Sequence, residues 1–155
     1  MAVQQMNIAK LRTLLTETEK NTLRYNKRHN GDYPLHIAMQ RKTPESHEIV
    51  RLLMNNLWKF DLPDEMSISR YNYNTLSEKV AVLISLKNKA DKTVLDIAIA
   101  DNKVEYVEWI LDAVDEIEGF KGQNYLEKAI KACKTKTCDL QGAKTILKVM
   151  RCIFF

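Results

Sequence analysis

Glycine and proline are scarce in this chain of 155 residues, at 4 and 3, and no run of Val, Ile and Thr alternates with period two. A sheet protein needs both turn residues and pleat-matched alternation, so these absences argue against one and for an all-α fold. No apolar run approaches the roughly 18 residues that span a bilayer. Met1-Ala2-Val3-Gln4-Gln5 has neither the basic start nor the apolar stretch of a secretory signal. Cysteine occurs 3 times, an odd number that argues against a disulfide scaffold and for a reducing, cytoplasmic setting.

Catalytic chemistry is lacking too. Gly119-Phe120-Lys121-Gly122 has neither the spacing nor the Lys-Ser/Thr ending of a phosphate loop. No Ser or Cys sits in a nucleophile elbow. Cys133 and Cys138 have no second Cys or His pair nearby to complete a zinc site, and read as buried apolar thiols. Acids abound, but helical surfaces supply acids freely. The chain is therefore read as a non-enzyme with no cofactor, no metal and no nucleic-acid partner.

What the chain does have is one phrase written twice. Asn30-Gly31-Asp32-Tyr33-Pro34-Leu35-His36-Ile37-Ala38 is followed by His47-Glu48-Ile49-Val50-Arg51-Leu52-Leu53. Ala90-Asp91-Lys92-Thr93-Val94-Leu95-Asp96-Ile97-Ala98 is followed by Val104-Glu105-Tyr106-Val107-Glu108-Trp109-Ile110-Leu111. Each copy reads as a turn, a short helix, a loop and a second helix. A repeat of this kind cannot bury its apolar face alone and must stack on its neighbours.

The phrase resembles the ankyrin repeat, with its G-x-T-P-L-H-x-A-A stretch and I-V-x-L-L second helix. The first copy keeps Gly31, Pro34, Leu35, His36, Ala38, Ile49, Val50, Leu52 and Leu53. It places Tyr33 where the family has Thr and lengthens the loop from Arg41 to Ser46. The second keeps Thr93, Leu95, Ala98, Val107, Ile110 and Leu111, with Val94 for the Pro and Asn102 for the usual Gly. The resemblance implies an ankyrin-repeat solenoid of helix-turn-helix units joined by hairpin-like loops. It also implies that His36 hydrogen-bonds across neighbouring hairpins, a structural role.

Spacing divides the single domain, residues 1–155, into about four units with degenerate and capping ones included. Ile8, Leu11, Leu14 and Leu15 share one helical stripe and mark residues 1–29 as an N-terminal cap. Residues 30–56 and 88–118 are the two clear repeats. Leu95 lies 60 residues beyond Leu35, too far for one unit of about 33, so a degenerate repeat is placed between them at 57–87. Its weak first helix would be Asp64 to Tyr71 and its second Thr75 to Ile84, opened by a Thr75/Glu78 capping box. Leu126-Glu127-Lys128-Ala129 follows Leu95 by 31 residues and opens the C-terminal cap, 119–155. Leu95 and Ala98 should face the stack. Trp109 is read as packing between repeats, Trp58 as core and Tyr73 as exposed, while His47 heads a second helix, where it packs or caps.

Ankyrin solenoids bind partners through hairpin tips and inner helices, a rigid concave surface that needs little ordering when a partner docks. Mapped here, that surface comprises Arg28, His29, Asp32, Tyr33, Met39 and Arg41 from the first repeat. Lys89, Asp91, Lys92, Asp101 and Asn102 come from the second. The expectation is a monomeric adaptor that binds a protein or peptide partner. Charge adds an alternative. Seven acids against one base fill residues 101–118, while eight bases against two acids fill 121–151. The chain then ends Cys152-Ile153-Phe154-Phe155, the arrangement of a prenylation box, with Lys144, Lys148 and Arg151 upstream as the second anchoring signal. Cys152 and this basic end together describe a module tethered at an anionic membrane surface. Lys outnumbers Arg 17 to 7, a low-GC bias, and small ankyrin-only proteins resemble effectors that intracellular bacteria deliver into host cytoplasm.

Overall fold

A computed structural model describes residues 8–17, 23–26, 31–63, 76–114, 126–127, 129–131 and 140–154. They are mostly helical, consistent with an all-α fold. The helices are α1 (Ile8–Glu17), α2 (Pro34–Gln40), α3 (Ser46–Asn55), α4 (Leu76–Ser85), α5 (Val94–Ala100), α6 (Val104–Val114) and α7 (Leu140–Phe154). A 3₁₀ turn, Leu57–Lys59, follows α3. Two residues of parallel pairing, β1 (Leu23–Arg24) with β2 (Phe60–Asp61), tie the N-terminal region to the segment after that turn.

The repeated phrases fold alike because their backbone requirements match. Gly31 and Asp91 stand at equivalent positions and both take left-handed backbone, with φ of 81° and 57°. Glycine adopts that region freely, and Asp is among the few other residues that visit it. Pro34 then opens α2, where its missing N–H has no intrahelical acceptor to lose. In the second copy Thr93 and Asp96 close a capping box: Asp96 N–H donates to Thr93 Oγ1 at 3.1 Å, and Thr93 N–H donates to Asp96 Oδ2 at 3.0 Å. Tyr33, which replaces that threonine in the first copy, provides no side-chain cap.

The end of α5 explains Asn102 at the glycine position. Asn102 is left-handed, with φ of 53°. Its N–H reaches Ile99 O at 3.1 Å, and Lys103 N–H reaches Ala98 O at 2.9 Å. That bond pair is a Schellman stop, which needs a left-handed residue and accepts Asn when Gly is absent. The tight stop lets α6 begin two residues later.

Burial shows which helices lie inside. Leu35 through Met39 of α2 are all buried, as are Val94 through Ile99 of α5. A helix apolar on every side must be surrounded on every side. The flanking helices bury one stripe each: Ser46, Ile49, Val50 and Leu53 in α3, and Tyr106, Val107, Ile110 and Leu111 in α6. Leu11 and Leu15 anchor α1 on α3, and the Arg12–Glu48 pair at 2.7 Å joins the same two helices. Leu95 and Ala98 are buried, as the register requires.

The two repeated segments stack directly on each other, which corrects the placement of a degenerate unit between them. Helix α2 packs on α5. His36 Nε2–H donates to Lys92 O at 2.9 Å, and Asn88 Nδ2 donates to Asp32 Oδ1 at 2.8 Å. The turns are so close that a Cβ on Gly31 would fall 2.5 Å from Lys89 Cβ. No whole unit fits in that gap. Of residues 57–87, the 3₁₀ turn packs on α3, and α4 packs against that turn, α6 and α5. The 3₁₀ turn and α4 add a side layer. The predicted first helix, Asp64 to Tyr71, lies outside the described residues, as do Thr75 and Tyr73.

One further expectation changes. Trp58 was placed in the core, yet it is 37% exposed. The 3₁₀ turn sends Leu57 inward and Trp58 outward, with Lys59 Nζ 5.3 Å from its ring centroid. The core place is filled by Phe60, whose ring meets Tyr25 edge-on at 5.5 Å. Among the described residues, no helix is long and apolar enough to cross a membrane.

Candidate functional site

A cleft opens at the helix-turn ends of the stack. Its floor comes from the α2–α3 turn and the start of α3 (Arg41, Lys42, Ser46, His47), and from the α5–α6 turn and the start of α6 (Asn102 to Tyr106, with Glu108). Lys144, Leu147 and Lys148 of α7 form its rim. The volume is about 930 Å³, near the top of the range of about 300–1,000 Å³ typical of ligand clefts.

Each wall has a packing reason. Helix α7 lies along α6 and buries Gly142, Thr145 and Val149, positions spaced by three and four residues that share one face. Lys144, Leu147 and Lys148 fall on another, toward the cleft. On the opposite side, His47 packs on Trp109 at 5.0 Å and on Tyr106 at 5.9 Å between centroids. Tyr106 and Trp109 stack at 5.6 Å. This three-ring cluster bridges α3 and α6, so Trp109 does pack between repeats and His47 does pack at the head of its helix. Burial pushes the Tyr106 phenol above its ordinary range. Its hydrogen bond to Ser46 opposes that shift and the charge of Glu105 adds to it.

Electrostatically the cleft is basic. Five Lys and Arg side chains line it against two carboxylates. Both carboxylates are engaged by the chain itself: Glu105 Oε2 lies 2.7 Å from His47 Nε2, and Glu108 pairs with Lys148. Lys103 donates to Met39 O across the two repeats and sits 5.2 Å from the Tyr106 ring centroid. Lys42 and Lys144 are exposed and pair with no acid among the described residues. Among the described residues, no group of three His, Cys, Asp or Glu side chains is arranged to hold a metal.

The residues expected to form a concave binding surface are dispersed. Arg28 and His29 lie outside the described residues. Asp32, Tyr33 and Met39 must be withdrawn as surface contacts, because they are 8%, 2% and 0% exposed. Asp32 is spent on Asn88. Tyr33 stacks flat on Tyr25 at 5.7 Å, and Tyr25 in turn accepts from Leu35 N–H at 3.3 Å. Met39 is lost to the surface because α2 is enclosed all round. Lys89, Asp91 and Lys92 remain exposed on the second hairpin, where Asp91 pairs with Lys87 at 2.9 Å. They do not line the cleft. Asp101 is exposed, while Arg41 and Asn102 do line it. Cys152 lies in the last turn of α7, and its side chain lies outside the described residues.

Sequence reasoning noted Lys144 and Lys148 as basic and His47 as a helix head, but not that they meet. Lys42, Lys103 and Tyr106 carry no local signal at all. They become one site because two turns 60 residues apart in sequence are brought together beside α7. No protein-family model, curated protein or solved structure matches the chain.

Proposed function

We propose that this chain is a non-enzymatic protein-interaction module of the ankyrin type, which holds a segment of a protein partner in the cleft between the helix turns and α7. The observation that carries this reading is the cleft itself. It joins three elements that are each fixed by packing, and it leaves charged groups and one leucine facing solvent. Ankyrin character is supported by the equivalent left-handed turns at Gly31 and Asp91, and by the His36 bond to the next hairpin.

Preorganisation is the physical benefit of such a site. The His47, Tyr106 and Trp109 rings are already stacked and Lys103 is already tethered, so a docking segment orders little of the receptor. The binding surface is moved from the concave hairpin side to the turn end, because the inner helices are enclosed and have little left to offer. The prenylated alternative gains no support. Cys152 lies within helical backbone, and presenting an extended C-terminal tetrapeptide would require unwinding that turn.

Site-specific photocrosslinking tests the reading. A benzophenone amino acid replaces Leu147 at the cleft in one variant and Lys10 on exposed α1 in another, and each is irradiated in cell extract. Discrete protein adducts at position 147 that are absent at position 10 are expected. Equal adducts at both positions, or none at 147, would refute the assignment.

A further inference from the structure

We infer that the cleft selects an acidic peptide segment carrying one large apolar side chain; this rests on the reading of the cleft as a protein-binding site and names what it binds. Charge gives the first argument. Five basic side chains face two carboxylates, and both carboxylates are matched within the chain. The surplus is positive, and its exposed members Lys42 and Lys144 stand on different elements, the α2–α3 turn and α7. A ligand lying between them meets cations from two sides, and electrostatic complementarity of this kind steers encounter and sets register.

Apolar exposure gives the second argument. Leu147 is 64% exposed, although α7 has an apolar face against α6 that could have taken it. It stands three residues after Lys144 and next to Lys148, so it is a hydrophobic point framed by ammonium groups. A docking side chain there would be covered by leucine and would leave its flanking carboxylates beside lysines. Large buried side chains surrounded by a polar rim dominate binding energy at protein interfaces.

Shape separates a peptide from a flat anionic surface. The cleft is lined by two turns and one helix, a concavity that a peptide can enter and a bilayer cannot follow. A peptide places its carboxylates at intervals and fits a volume of about 930 Å³. That volume holds a few side chains but not a folded domain.

Fluorescence anisotropy with defined labelled peptides tests this. The probe is a Glu-rich peptide with one central Phe; companions replace every Glu by Lys, or the Phe by Ser. The full chain should bind the probe and not its Lys companion. The double variant K42E/K144E alters only exposed side chains, so its melting temperature should match wild type. Reversing two charges should weaken binding by about tenfold or more at low salt, and the difference should shrink as salt rises. Leu147→Ser and the Phe→Ser peptide should each weaken binding, and combining them should cost little more than either alone. Equal binding of the Glu and Lys peptides, or full affinity in K42E/K144E, would overturn the inference. So would reversal-sensitive binding seen only with phosphatidylserine vesicles or only as self-association. If no acidic peptide binds while the Leu147 crosslink persists, the acidic selectivity fails and the interaction module stands. If that crosslink is absent as well, the module itself fails.

Discussion

Below neutral pH the contact between the two repeated segments should weaken, and His36 is the cause. Its ring is fully buried, and Nε2–H donates to Lys92 O at 2.9 Å. Nδ1 is buried with no hydrogen-bond partner. Protonation would therefore place a proton and a charge on an atom with nothing to receive either. Desolvation by burial holds the His36 pKa below its ordinary 6.5, while the bond to Lys92 and the charges of Asp32 and Asp96 oppose that shift without cancelling it.

The sign follows from proton counting. The unfolded chain takes up the His36 proton near pH 6.5, whereas the folded chain resists until a lower pH. Stability from this group is thus fully present above about pH 7 and is lost as pH falls through 6.5, with a slope approaching about 1.4 kcal/mol per pH unit. Lys92 O also accepts from Asn88 N–H, so it is not orphaned when the histidine is removed. His36→Leu should then cost about 0.5–1.5 kcal/mol at pH 7.5, the net value of one hydrogen bond. As pH falls below 6.5 the variant should lose less stability than wild type, and the gap between them should narrow. Urea unfolding followed by circular dichroism at several pH values measures both curves, and their difference subtracts every other titrating group. Parallel loss of stability in the two chains between pH 7 and 5 would refute the argument.

Other perturbations test the packing. Leu95→Ala should cost roughly 2–5 kcal/mol, and Ala98→Asp more, since it buries an unpaired charge; thermal melts matching wild type would place both residues at the surface. Gly31→Ala combines a left-handed backbone, costing about 1–2 kcal/mol, with a Cβ driven against Lys89, about 1–3 kcal/mol more. Asn102→Gly, at a left-handed site with no such requirement from the side chain, should be nearly neutral by the same melt. Tyr33→Thr restores a cap worth about 0.5–2 kcal/mol but removes a buried stacked ring worth about 3–5 kcal/mol. The net should be destabilising, and a stabilised variant would show that the Tyr25 stack contributes little.

Legibility in the sequence followed the range of the interactions. Gly31, Pro34, Thr93 and Asn102 act within one turn, and each could be read from the residue and its neighbours. The stripe Leu11, Leu15 was equally readable, because helical periodicity alone puts those residues on one face. Even His36 was readable, through a resemblance that already contained its cross-hairpin bond. Tyr33 and Met39 were misread for the opposite reason. A position in a repeat tells which way a side chain leaves its own unit, and nothing about Tyr25 or the other elements that come to cover it.

The 60 residues from Leu35 to Leu95 show the same division. Counting along the chain suggests an intervening unit, yet the turns bearing Gly31 and Lys89 touch, and the 3₁₀ turn and α4 form a side layer. The cleft is the extreme case. Lys42, Lys103 and Lys144 are ordinary solvated lysines in the linear chain. What the amino acids determined unaided was helix, turn and repeat, because those rest on local backbone and periodicity. Only the tertiary arrangement decided that two turns and α7 would enclose a basic cleft around Leu147, because like charges and an exposed leucine gain meaning from the distances between them.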